Sequence, residues 1–284
     1  MKYLYPEGAA EGPVDDFSGG GGGIGSRIGF NLEAFIPIIL IIIIGLLLAM
    51  KLGIVALPFD IPGISGGQPS EMLIIGASSI ETLSELSKNP DLVHYRQHID
   101  PTYFERNPAD MIANYDIIWI DQSEQADKTI PRRLGEAIED FVKRGGKLVV
   151  VKDSGILREG AYDVIGWEAT FNDVVPVKCD RVIQGIPSCM VPYHVMGEGL
   201  RDDEDHRIMR GIERAPFDPN LLITVDLFDV TSTGKEVAFI RESGTDRTYP
   251  AIIEKSMVIG KSIYFNYNPG KTPGILANTL EYLR

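Results

Sequence analysis

The stretch YDIIWIDQ (Tyr115–Gln122), followed by PRRLGEAIEDFVKRGG (Pro131–Gly146) and KLVVVKD (Lys147–Asp153), decides the reading of the fold. The first and third pieces are short apolar runs without alternation, which is the pattern of strands covered on both faces. The piece between them is helical: Pro131 fits a first turn, where its missing N–H costs nothing, and Gly145 and Gly146 supply a stop. Strand, helix and strand in this order predict two parallel neighbours joined by a right-handed crossover.

Working outward, MLIIGA (Met72–Ala77) reads as another buried strand. SSIETLSELSK opens at a Ser79 cap into a helix with Ile80, Leu83 and Leu86 on one face. LVHY is a weaker strand. Further along, LLITVDLFDV, EVAFIRE and YPAIIEK read as strands in hairpin-like succession, with the turn SGTDRT between Ser243 and Thr248. A strand through Ile263–Asn266 and a helix over TPGILANTLEYL close the chain. The expected fold class is α/β: a doubly wound, three-layer, mostly parallel sheet of the flavodoxin or amidotransferase-like kind, over residues 71–284.

The first quarter is different in kind. Residues 1–28 carry four acidic side chains and the run SGGGGGIGS, a composition that cannot bury a core and predicts a flexible tail. Within residues 29–57, the stretch Ala34–Met50 holds seventeen residues without a charge. At about 1.5 Å per residue they cover about 25 Å, and a snorkelling Lys51 extends the span towards the roughly 30 Å of a bilayer core. The expectation is one transmembrane helix with the lipid bilayer as its partner, and a single-pass cell-membrane protein. Arg27 and Lys51 balance the flanks, so the cysteine pair tips the expected orientation towards an extracytoplasmic domain. PFDIPGISGGQPS, residues 58–70, is a linker.

The formal charge of −13 excludes a nucleic-acid groove, which needs clustered Lys and Arg. Cys179 and Cys189 have nine residues between them. In an oxidising compartment a bridge is possible there, and in a reducing one they are small buried thiols; no further Cys or His pair completes a zinc site. His94 and His98 stand outside any HExxH pattern and read as structural. Trp119 reads as core, and Tyr264 and Tyr267 are candidate pocket residues on opposite sides of one strand.

Two resemblances add to this. RIGFNLEAFIPIILIIIIGLLL, from Arg27, resembles the signal of type IV prepilins, which would imply a cut between Gly29 and Phe30, although Glu33 stands one position early. The succession YDIIWID, AIEDFVKRGGKLVVVKDSG, DHRIMRGI and PAIIEKSMVIGKSIYFNYNPG with a final ILANTLEYL resembles the class I glutamine amidotransferase-like superfamily, in its trehalose-utilisation-like, membrane-linked branch. That resemblance implies a nucleophilic Cys on the turn after KLVVVKD, and Asp153, Ser154 and Gly155 stand there instead. Ser154, with His194 or His206 as base, is a weak catalytic candidate; Asp202, Asp203 and Asp205, beside Glu204, are weak cation ligands lacking the spacing of a calcium loop. No cofactor is expected. The leading expectation is a non-catalytic interaction or scaffold subunit of a membrane or cell-surface complex. The alternatives are a hydrolase or carbohydrate-type ligand binder, and a pilin-like assembly subunit.

Overall fold

Ten strands form one mixed sheet. They are β1 (Ser70–Ile75), β2 (Val93–His98), β3 (Ile117–Ile120), β4 (Lys147–Val151), β5 (Pro192–Arg201), β6 (Arg214–Ala215), β7 (Ile223–Phe228), β8 (Lys235–Glu242), β9 (Thr248–Ser256) and β10 (Lys261–Phe265). The computed structural model describes residues 37, 40, 41, 44, 45 and 68–284, apart from 162, 204, 219 and 246. The chain divides into the units Met1–Gly66 and Gly67–Arg284, and the sheet belongs to the second.

The sheet order is β6-β5-β8-β9-β10-β4-β3-β1-β2, with β7 paired to β5. From β10 to β2 every pairing is parallel. From β10 back to β5, and on to β6 and β7, every pairing is antiparallel. The expected mostly parallel sheet is therefore corrected to a mixed one. The physical reason is short connections: a few residues between β8, β9 and β10 can only turn the chain back on itself. These hairpins join the edge of the parallel strands through β10 instead of forming a separate layer.

Helices α1 (Ile80–Ser87), α2 (Pro108–Ile112), α3 (Arg132–Lys143), α4 (Trp167–Phe171) and α5 (Pro273–Leu283) cover the sheet. Alternation along the central strands divides the core in two. Met72, Ile74, Trp119, Val149 and Phe265 pack with Leu86 of α1 and Ile275, Leu276 and Leu280 of α5. Leu73, Ile75, Ile118, Val150 and Tyr264 pack with Ile112, Leu134, Ile138, Trp167 and Phe171 from α2, α3 and α4. Burial on both faces explains why these strands carry uninterrupted apolar runs.

The single-pass membrane expectation is also corrected. Among the described residues no helix is long and apolar enough to cross a membrane. The longest helix of the second unit, α3, has 12 residues, about 18 Å, and buries only one face. Of the stretch Ala34–Met50, only Pro37, Leu40, Ile41, Ile44 and Gly45 are described, all helical and exposed. The tail over 1–28, the Gly29–Phe30 junction and most of the linker lie outside the described residues.

Candidate functional site

In an open sheet with parallel strands, the crevice opens where consecutive crossovers depart to opposite sides, at the carboxyl ends of the strands. Here β1 leads outward to β2 while β3 and β4 lead the other way, so that point falls between β1 and β3. Its floor is Gly76, in left-handed backbone at φ 109°. A Cβ there would stand 2.3 Å from the Asp121 carbonyl oxygen, so the two strand ends approach closely only because residue 76 is glycine. Ser79 then caps α1 by accepting from the Thr82 N–H at 3.1 Å.

Asp121, at the end of β3, is 1% exposed. Its Oδ1 accepts from the Ser123 N–H at 3.0 Å and from the Ser123 hydroxyl at 2.5 Å. Its Oδ2, Ser78 Oγ and Trp119 Nε1 each lack a well-formed hydrogen bond among the described residues. Burial pushes the Asp121 carboxyl above its usual range, and the Ser123 contacts, with Ser78 and Trp119 nearby, only partly offset this.

Gln122 organises the next position. Its N–H donates to Ser154 Oγ at 2.7 Å, its Oε1 accepts from the Gly155 N–H at 2.8 Å, and its carbonyl accepts from Lys128 Nζ at 2.6 Å. Ser154 is fully buried and its carbonyl accepts from Trp167 Nε1 at 2.9 Å. The hydroxyl expected as a weak nucleophile therefore holds β3 to the turn after β4. Asp153 pairs with Lys128 at 3.1 Å.

The residue at the end of β4 with a non-glycine left-handed backbone is Lys152, at φ 54°. Its N–H donates to the Phe265 carbonyl at 2.7 Å, and its ammonium faces Asp226 of β7 at 3.9 Å. Asp226 also holds His194 of β5, at 2.9 Å. Asn266, after β10, accepts from the Phe228 N–H and donates to the Phe228 carbonyl, both at 2.9 Å. The β5–β7 pair is thus drawn across the strand ends and pinned there by Lys152 and Asn266.

The remaining candidates lie elsewhere. His206 is buried at the opposite end of the sheet, where it contacts Glu254. Its Nδ1 accepts from the Ile208 N–H at 3.2 Å, which places the ring proton on Nε2, facing the carboxylate. Burial works against the charged Glu254, but hydrogen bonds from His206, Tyr282 and Ser256 and the charge of Lys261 prevail and hold its pKa down at about 2. Ser154, His194 and His206 therefore have three separate sets of partners and form no triad. Asp203 pairs with Lys235 and accepts from the Asp205 N–H at 3.3 Å. Among the described residues no three His, Cys, Asp or Glu side chains gather as metal ligands. Tyr264 and Tyr267 are both buried, on opposite faces of the sheet. Cys179 and Cys189 are joined in a disulfide, with Cα atoms 5.5 Å apart.

A cavity of about 370 Å³ opens beside β2 on the strand-end side, lined by Asp100, Thr102, Glu105, Gln122, Asp127 and Glu159 among others. A second, of about 410 Å³, lies against His206, Lys235, Glu254 and Tyr282. Sequence reasoning missed Asp121, Gln122 and Lys152 as members of the strand-end group. The signal for them was their place directly after a buried strand.

No family model matches the chain, and no curated protein matches it. Among solved structures it is similar to a β-galactosidase from Bacillus circulans sp. alkalophilus, at 15% identity and TM-score 0.46, covering 75% of this chain and 30% of that one. It is similar to a cytoplasmic protein from Salmonella typhimurium, at 14% identity and TM-score 0.47, covering 75% of this chain and 98% of that one. A β-galactosidase from the Antarctic haloarchaeon Halorubrum lacusprofundi gives 11% identity and TM-score 0.47, over 76% of this chain and 31% of that one. The chain spans about a third of the β-galactosidases it matches. At these scores the likenesses carry no argument about fold or activity.

Proposed function

We propose that the domain over Gly67–Arg284 is a non-catalytic interaction module, serving as a subunit of a protein assembly. The observation that carries this reading is that the groups after β4 and β10 are engaged by the chain's own partners. Ser154 Oγ is engaged by Gln122 with no surface of its own, Lys152 faces Asp226, and Asn266 holds Phe228. Both cysteines are spent in a disulfide. An attacking group needs exposure to substrate and a base within hydrogen-bond reach, and Ser154 has neither. The net charge of −13 favours protein partners over nucleic acid.

A second reading, binding of a small carbohydrate-type ligand, is favoured by one feature: the buried Asp121 has a carboxyl oxygen without a well-formed hydrogen bond among the described residues, at the point where open sheets receive ligands. Treatment of the folded protein with a fluorophosphonate, read by intact mass, separates an interaction module from a serine hydrolase. The expected outcome is no adduct at Ser154. A stoichiometric adduct there, lost in Ser154→Ala, would replace the interaction reading with a hydrolase.

A further inference from the structure

Residues Val182 to Met190, VIQGIPSCM, contain no charge. They form a two-stranded hairpin with Val182 opposite Pro187 and Ile183 opposite Ile186. Gln184 at φ 51° and Gly185 at φ 85° make its two-residue turn, both left-handed as a tight hairpin of this hand requires. At the tip and flank, Val182 is 67% exposed, Ile186 49% and Met190 41%.

The base is fixed from several directions. The Cys179–Cys189 disulfide closes it. The Ser188 N–H donates to the Arg181 carbonyl at 2.9 Å, and the Asp180 carboxylate accepts from the Thr231 hydroxyl at 2.6 Å. Arg181 pairs with Asp229, and Lys178 with Glu168. The neighbouring cations are therefore satisfied within the chain, and what projects is an uncharged apolar finger held in one conformation. Isolated two-stranded hairpins are barely stable in water, so rigid fixation of exposed apolar side chains is costly unless they are covered.

We infer that this hairpin is the docking element of the interaction module, and that it inserts into an apolar groove with a basic rim on a different protein. The inference rests on the interaction reading above. Apolar complementarity follows from the uncharged tip, and preorganisation spares the complex the entropy of ordering a loop. The basic rim follows from the charge of −13, which repels a second copy of this chain and attracts a surface of opposite sign.

The test is a photo-crosslinking amino acid placed in the full chain at Val182, with Val258, fully exposed on the turn between β9 and β10, as control. The expected result is one crosslinked chain of a different protein from position 182 and none from 258. Its purified form should bind wild type about ten-fold or more tightly than Ile186→Glu, with affinity falling as salt rises. Ile186 is exposed, so that variant keeps its fold, checked by an unchanged unfolding midpoint. A crosslink to a second copy overturns the inference, as does vesicle sedimentation that depends on Val182 and Ile186. A stoichiometric partner that binds Ile186→Glu as well as wild type overturns the hairpin assignment and leaves the interaction reading standing. The absence of any partner for wild type overturns both.

Discussion

Glu254 and Asp121 are both buried carboxyl groups, and their surroundings drive them in opposite directions. Glu254 keeps its charge because His206, Tyr282, Ser256 and Lys261 converge on it. Its pKa falls from 4.5 to about 2, and one unit is worth about 1.4 kcal/mol, so its contribution is on the order of 3 to 4 kcal/mol. Because the folded value lies below the unfolded one, that stability is fully present above pH 4.5 and is lost as pH falls towards 2. Denaturant midpoints measured down this range should drop for wild type and stay flatter for Glu254→Gln; parallel curves would show that the carboxylate is not stabilised by folding. Asp121 has the opposite sign. Its folded pKa is raised by burial, so a penalty grows as pH rises above its unfolded value of 3.8. Asp121→Asn should accordingly match or exceed wild-type stability near neutral pH in the same measurement. Neither behaviour was legible in the sequence, because the burial of Asp121 and the partners of Glu254 are set by the fold: Glu254 lies 48 residues from His206. Ser154 teaches the same lesson, since a serine after a strand reads equally as nucleophile or as tie until the Gln122 N–H is seen to occupy it.

Elements were legible where burial was two-sided. β1, β3, β4 and β10 announced themselves as apolar runs, and α3 by its Pro start and Gly stop. β5 went unread because PYHVMGEGLR contains Gly197 and Gly199 and alternates weakly. A Cβ on Gly197 would stand 2.1 Å from the Arg241 carbonyl oxygen, so the position is glycine to let β5 lie against β8, at the expense of any strand-like pattern. The disulfide hairpin was likewise hidden, since cysteine spacing alone left both a bridge and free thiols open. Closing a loop of 10 residues restricts the unfolded chain by about 2 to 3 kcal/mol. The double variant Cys179→Ser, Cys189→Ser should lower the unfolding free energy by about that amount, measured by denaturant titration under non-reducing conditions. A change below about 0.5 kcal/mol would mean that the surrounding hydrogen bonds, and not the bridge, set the hairpin.

At the scale of the whole molecule, the parallel half of the sheet was foreseeable from strand and helix alternation, whereas the sharing of one sheet with the hairpins was not. Local pattern fixes a strand's period; which neighbour it pairs with is decided by connection length and by the open edge of β10. The apolar stretch Ala34–Met50 shows the limit of composition in another way, because length and hydropathy suggested a span that no described helix provides. The function we propose for the folded domain, a surface for another protein in place of a site for chemistry, rests on the engaged groups after β4 and β10 together with the uncharged hairpin. The most direct measurement is the mass of the full-length protein purified under mild conditions, determined by native mass spectrometry alongside Ser154→Ala. The account predicts a complex with a different protein at fixed stoichiometry, unchanged by Ser154→Ala. A chain that remains alone and turns over a small substrate in a Ser154-dependent way would contradict it.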